Sequence, residues 1–582
     1  MHRLLRYLKG YERETVLAPL FKMLEACFEL LVPLVVAAIV DTGIQNRDVG
    51  QIARQGGLLV LLAVVGLASS VTAQYFAAKT ALGYGTALRR DLYHHINTLS
   101  YTELDGIGTP TLVTRMTSDI NQLQNGVNMT LRLLLRSPFI VIGALIMALS
   151  ISPQMTAWFL LVTVLISLVI YLIMRITVPR YHQAQSMLDK VTLLTRENYV
   201  GTRVVRAFSR QEDEIRDFTK TNDTLKKVQT SAGRISALMN PMTYLIVNFG
   251  IIVVLVRGGA LVNDGALTQG EIIALISYMN QILTNLLRMA DLVISVTRAL
   301  ASGIRVNELL KTPTGMPDPA ESGAKELAPA EGAPAVTFDH VTFTYKDAGA
   351  PSLTDLDFRA MSGQTIGVIG GTGSGKSTLV NLIARFYDAT EGKVELYGHD
   401  VRQYPFAQLR TMIGVVPQRA VLFTGTIRDN MGWACPNATD EQIWAALEIA
   451  QAADFVRGKP KGLDEPVETA GRNFSGGQRQ RLTIARALFP RPAVLILDDS
   501  ASALDYATDA ALRKALKEKT SGMTVFIVSQ RATAVQRADR ILVLDDGALA
   551  GSGTHAELLK TCEVYREICL SQLSREEVEK TV

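Results

Sequence analysis

The chain has 582 residues, 48% of them hydrophobic and only 20% charged, which is too long for one domain and too apolar for a wholly soluble protein. Its formal net charge is +4, and the basic residues do not cluster as they do in a nucleic-acid binder, so no nucleic-acid partner is expected. Four cysteines (Cys27, Cys435, Cys562 and Cys569) lack metal-site spacing and read as free thiols in a reducing compartment.

The first eleven residues mix Arg and Lys with aliphatic residues and lack a cleavage site, so they read as a short interfacial helix rather than a signal peptide. Six apolar stretches follow, at about 16–40, 58–78, 137–151 (extended backwards by 133–135), 156–174, 238–256 and 271–296. Each is long enough, or nearly so, to span a bilayer. The connections after the first, third and fifth are short, and those after the second and fourth run to dozens of polar, helical residues. Most of the positive charge sits in the long ones: Arg89, Arg90, Arg115, Arg175, Arg180, Arg196, Arg203, Arg206, Arg210, Lys226 and Lys227. The positive-inside rule therefore makes the long connections cytoplasmic, and with six spans both termini are cytoplasmic too. The expected location is the cytoplasmic membrane.

Polar residues within spans are functional candidates. Lys22, Glu25 and Glu29 fall on roughly one face of the first span. They either face an aqueous cavity, or Lys22 snorkels to the interface and pairs with Glu25. Asn280, Gln281 and Asn285 in the sixth span either line a pathway or bond neighbouring helices.

Residues 312–334 are rich in Pro, Ala and Gly without periodicity and read as a linker. It separates an expected membrane domain (1–311) from a second domain (335–582). The second alternates short β-type runs (336–338, 341–345, 367–369, 413–416, 494–497, 525–528 and 541–544) with helical segments, an α/β pattern with much parallel sheet. Asn-x-Ser/Thr triplets at Asn128, Asn222, Asn437 and Asn473 match by chance too often to argue from.

A phosphate-binding pattern organises this second domain. Gly370, Gly371, Thr372, Gly373, Ser374, Gly375, Lys376, Ser377 and Thr378 fit G-x-x-x-x-G-K-[ST], after a buried strand (365–369) and before a helix (379–384). Glycines let backbone N–H groups crowd around phosphate oxygens, and the helix N-terminus adds its partial positive charge. Lys376 adds a full charge for the β- and γ-phosphates. The Ser377 hydroxyl can ligate Mg²⁺. A further strand ends in Asp498, and Asn473-Phe474-Ser475-Gly476-Gly477-Gln478 opens a helix at 479–488. For that second stretch alone the plain alternative is a Ser N-cap.

With these motifs in this order, the chain resembles an exporter-type ABC half-transporter over essentially its full length: an α-helical membrane domain with six transmembrane helices, followed by an α/β P-loop ABC ATPase domain. The resemblance implies ATP and Mg²⁺ as cofactors, with Ser377, Gln418 and Asp498 at the metal. It implies that Tyr345 stacks on adenine. Ser475, Gly476, Gly477 and Gln478 match the signature loop, which contacts ATP held by the other subunit. The segments 101–115 and 201–208 resemble coupling helices, and Ser502, Ala503, Leu504 and Asp505 the D-loop.

Two positions depart from the family. Asp499 stands where hydrolysing members have the Glu that polarises water, and Gln530 where they have His against the γ-phosphate. Asp is one methylene shorter, about 1.5 Å of reach, and a misplacement of roughly 1 Å can cost about 10²-fold in positioning-dependent catalysis. Gln donates a hydrogen bond but carries neither charge nor proton. The expectation is a heterodimer in which this chain binds ATP at an impaired site and completes an active site on a second half-transporter. The expected cargo is a hydrophobic or amphipathic solute (drug, lipid or peptide-like). The alternatives are a lipid flippase or uptake system on the same architecture, or an ATP-binding sensor that moves nothing.

Overall fold

The computed structural model describes residues 2–323, 325–435, 438–500, 503–520, 522–573 and 578. Asn437 of the third triplet and Ser502 of the D-loop match lie outside the described residues. The chain forms two compact units. One comprises Met1–Asn97 and Pro110–Thr312, the other Thr98–Thr109 and Pro313–Val582. A single cut in the sequence does not describe this division, because a short excursion from the helical half belongs to the second unit.

The first unit is built from long helices: α1 (Glu12–Ala38), α2 (Val49–Thr98), α3 (Ile120–Leu133), α4 (Arg136–Ile151), α5 (Pro153–Ala207), α6 (Gln211–Ala237), α7 (Met239–Asn263) and α8 (Gln269–Leu309). At 1.5 Å per residue, the 50 residues of α2 and the 55 of α5 extend about 75 and 80 Å, well beyond a hydrocarbon core of roughly 30 Å. Their ends are set locally. Ser152 caps α5 by accepting from the Met155 N–H, with Pro153 in the first turn, where a missing N–H costs nothing. Thr268 and Glu271 form a capping box at α8.

Among the described residues, five helical runs are long and apolar enough to cross a membrane, beginning at Glu12, Val49, Thr109, Pro153 and Gln211. The sixth, α8, has the length, at 41 residues, but Asn280, Gln281 and Asn285 reduce its apolar character. The large side chains Val60, Leu67, Leu160, Val164, Leu245 and Phe249 are all more than half exposed, the surface that lipid covers. Inside, Phe159, Tyr278 and Ile282 are fully buried, and the Tyr278 hydroxyl donates to the Leu30 carbonyl at 2.7 Å.

The first residues pack on the helical unit: Leu4 and Tyr7 are buried, with Tyr7 edge-on to Tyr84 of α2. One sequence expectation changes in α1. Lys22 does not snorkel outward. It is 7% exposed and pairs with Glu25, while also donating to Ser70 of α2 at 3.1 Å.

In the second unit, the described strands form a four-stranded and a six-stranded sheet, with a two-stranded ribbon beside them. The first sheet is antiparallel and contains β1 (Val336–Phe343), β2 (Leu353–Ala360), β4 (Glu391–Leu396) and β5 (His399–Asp400), in the order β2-β1-β4-β5. The second contains β3 (Thr365–Gly370), β6 (Ile413–Val416), β7 (Val494–Asp498), β8 (Thr524–Val528), β9 (Arg540–Asp545) and β10 (Ala548–Gly553), in the order β10-β9-β3-β8-β7-β6. All its pairings are parallel except β9 with β10. Val368, Ile496 and Phe526 at its centre are buried, as strands covered on both faces require.

Residues 313–323 and 325–334 are mostly irregular, yet they are tied to this unit. Leu327 exchanges two hydrogen bonds with Gln408, and Asp318 accepts from the Phe406 N–H at 3.1 Å. The excursion Thr98–Thr109 carries the short helix Tyr101–Ile107, whose Asp105 accepts from the Tyr387 hydroxyl at 2.6 Å.

Candidate functional site: a phosphate loop at the end of a parallel sheet

β3 is buried along its length and stops at Gly370, and helix α9 (Lys376–Ile383) leaves from the far side of the loop. The glycines are needed for specific reasons. A Cβ on Gly370 would stand 2.2 Å from the Leu544 carbonyl oxygen, inside any real contact distance. Gly373 and Gly375 have φ of +84° and +90°, left-handed values that favour glycine, and a Cβ at Gly375 would also meet the Ser352 carbonyl at 2.7 Å. Gly371 has open space around it.

The loop folds around Lys376, which is 8% exposed. Its ammonium donates to the carbonyls of Gly370 (3.1 Å) and Gly371, and to Ser374 Oγ at 3.3 Å. Burial lowers its pKa, opposed by Asp498 and Asp499. Ser377 Oγ donates to Asp498 Oδ1 at 3.2 Å, joining the start of α9 to the end of β7. Burial raises the Asp498 pKa, an effect Ser377 and Lys376 oppose.

A cavity of about 380 Å³ opens over this loop. Thr372, Gly373, Gly375, Lys376, Ser377 and Thr378 line it from the loop side, and Gln418, Asp498, Asp499 and Gln530 from the strand ends. Tyr345 closes a further side. β1 ends at Phe343 rather than running to 345, because its partner β2 begins opposite that residue. Tyr345 is thereby freed from the ladder. It lies edge-on to Phe343 and Tyr387, at ring distances of 4.8 and 5.2 Å, and its hydroxyl is 3.1 Å from Thr378 Oγ1.

Asp499 has φ of +44°, and its N–H donates to the Val528 carbonyl at 3.0 Å, so its backbone turns back toward β8. Gln418 Nε2 stands 3.5 Å from Asp499 Oδ2. The sequence reading missed Ser352, a cavity-lining residue just before β2 whose proximity only the packing of β2 against the loop creates.

Ser475, Gly476, Gly477 and Gln478 do not line this cavity. They open α10 (Gly476–Leu488) through a capping box. Ser475 Oγ accepts from the Gln478 N–H at 3.3 Å, and Gln478 Oε1 accepts from the Ser475 N–H at 3.0 Å. Asn473 ties the preceding turn through the Glu468 N–H and the Pro466 carbonyl. The capping expectation and the signature resemblance therefore fall on the same serine.

The residues fit a nucleotide triphosphate with a hard divalent cation. The cradle admits no Cβ at Gly370, the buried lysine offers charge, and Ser377 with Asp498 offers the oxygen ligands Mg²⁺ prefers. ATP would supply the phosphoanhydride bond and Mg²⁺ the charge that neutralises its oxygens.

Residues 15–286 match the model of the ABC transporter transmembrane region, and 353–502 match that of the ABC transporter. An uncharacterised ABC transporter ATP-binding protein of Mycobacterium tuberculosis is 38% identical, covering 97% of each chain. An ATP-dependent lipid A-core flippase of Photobacterium profundum is 30% identical over 88% of this chain and 86% of its own. The structure of a bacterial Atm1-family ABC exporter with ATP bound superposes with a TM-score of 0.79 at 23% identity, covering 97% of this chain and 98% of that one. The chain belongs to the ABC transporter family, and it is a multi-pass membrane protein. Its layout is that of a half-transporter, one transmembrane region followed by one ABC ATPase domain in the Atm1-family fold.

Proposed function

We propose that this chain is one subunit of an ATP-driven exporter of hydrophobic or amphipathic solutes, acting as a heterodimer. It binds ATP and Mg²⁺ through Lys376, Ser377, Asp498 and Gln418, with adenine on Tyr345, and hydrolyses slowly there. Ser475, Gly476, Gly477 and Gln478 complete a second, active site on the partner. Residues 1–311 form the membrane domain and 335–582 the ATPase domain, with both termini cytoplasmic.

The observation that carries this reading is that Asp499 and Gln530 line the same cavity as Lys376, Ser377 and Asp498. On this reading the two departures from the family would face water and the γ-phosphate, beside a phosphate loop that keeps its lysine, serine and glycines. A homodimer would then contain two slow sites, whereas a pair with a partner that has Glu and His at these positions contains one fast site. The flippase relative supports a lipid-like cargo.

Purified alone, the full chain should bind ATP and turn it over slowly. Reconstituted with its partner in liposomes, it should hydrolyse ATP rapidly and move a labelled amphiphile. Rapid turnover by the chain alone removes the heterodimer. A pair that binds ATP and moves no label is a sensor rather than an exporter.

A further inference from the structure

The membrane unit contains a second polar constellation, away from the nucleotide. Lys22, Glu25, Arg132, Leu133, Arg136 and Arg288 line a cavity of about 370 Å³ between α1, the junction of α3 and α4, and α8. Lys22 lies ten residues into α1, about 15 Å along its axis, so it is no end-of-helix cation. The helices are held closely here. Gly126 of α3 lets Ala299 of α8 approach within a distance that any side chain would block. Further along, Asp119 binds Ser302 and Arg305 of α8.

The charges do not balance. Lys22 pairs with Glu25. Arg136, 6% exposed, pairs with Glu29 at 2.5 Å and donates to Asn285 Oδ1 at 3.3 Å. Those pairs use both carboxylates. Among the described residues, Arg132 reaches only Asn128 Oδ1, at 3.5 Å, and nothing bonds or pairs with Arg288. The Nε–H groups of Arg132 and Arg136 are buried without a partner. Ionisable side chains in membrane helices face the bundle interior or a water-filled cavity and mark substrate paths; Arg136 is buried, Arg132 half-buried and Arg288 exposed where they line this cavity. Arginine in particular offers the forked donors that oxyanions accept.

We propose that this cavity binds the oxyanion headgroup, phosphate or carboxylate, of an amphiphile, with Arg132 and Arg288 supplying the uncompensated charge and Arg136 held in place by Glu29 and Asn285. This rests on the reading of the chain as an exporter of amphipathic solutes and narrows its cargo to anionic ones. Asn285, which the sequence left between pathway and packing, serves as a positioning residue for Arg136.

Native mass spectrometry of the detergent-solubilised full chain tests the site without requiring turnover. Phosphatidic acid and a fatty acid should bind at least tenfold tighter than phosphatidylcholine of matched chains, and inorganic phosphate much more weakly than phosphatidic acid. The Arg132→Gln/Arg288→Gln double variant should lose the preference, and Arg132→Lys/Arg288→Lys should keep most of it, which separates charge from folding. Equal binding of phosphatidylcholine overturns the proposal, as does a Gln variant that retains selectivity. Inorganic phosphate binding as tightly as phosphatidic acid would make this a free-anion site and overturn the amphiphile. The arms comparing phosphatidic acid with fatty acid tell a phosphate from a carboxylate cargo. ATP-driven movement in proteoliposomes is read separately. Selective binding without movement removes the exporter reading and leaves the site, and movement without headgroup preference does the reverse.

Discussion

Gln418 Nε2 stands 3.5 Å from Asp499 Oδ2, across the mouth of the cavity that Lys376 and Ser377 line. The shorter Asp499 carboxylate thus lies beside Gln418, which lines the same cavity. Extending it should shift the oxygen outward to where water would be polarised. Asp499→Glu combined with Gln530→His should raise the ATP turnover of the isolated chain on the order of 10²-fold, read as phosphate release at saturating ATP. Unchanged turnover would mean that the slow step lies elsewhere in the site.

Lys376 directs its ammonium along the loop that should receive phosphate. Charged hydrogen bonds contribute about 1.5–3 kcal/mol each. Lys376→Ala should therefore weaken ATP binding roughly ten- to hundredfold, measured by calorimetry with Mg²⁺ present.

Tyr345 is held edge-on by Phe343 and Tyr387 on the wall of the cavity, and the proposed function puts adenine on its ring. Tyr345→Ala should cost about 1–3 kcal/mol of ATP affinity. Tyr345→Phe keeps the ring and loses the contact to Thr378, so about 1 kcal/mol or less is expected. Equal affinity of the protein for ATP and for tripolyphosphate would show that the ring does not read the base.

His555 is partly buried, with Nδ1 at 2.8 Å from the Tyr565 hydroxyl, and burial lowers its pKa below the ordinary 6.5. The unfolded state therefore takes up its proton first as pH falls. The contribution is fully present above about pH 6.5, declines as pH falls toward the folded pKa, and levels off below it. Melting curves of the full chain from pH 5 to 8 should show this acid-side loss. His555→Gln should flatten it, and a profile unchanged by that substitution would assign the loss to other groups.

Much of the molecule is legible in its residues, because the signals are local. A helix needs its apolar run and its caps, and a phosphate loop needs glycines, a lysine and a hydroxyl at fixed spacing. Hence the spans and the loop at Gly370 to Thr378 could be located without coordinates, as could Asp498 at a strand end. Tyr345 reads as part of a strand in the sequence, whereas β1 stops at Phe343, since the end of β1 depends on where β2 pairs. Only the tertiary structure decided which charges meet. It buried Lys22 against Glu25 and Ser70, brought Arg136 to Glu29 and Asn285, and left Arg132 and Arg288 without carboxylates among the described residues. It also gathered Asp499 and Gln530 into one cavity with Lys376. Spacing along a chain sets what each helix or loop can offer, whereas charge balance is a sum over neighbours distant in sequence, and that sum exists only once the helices have packed.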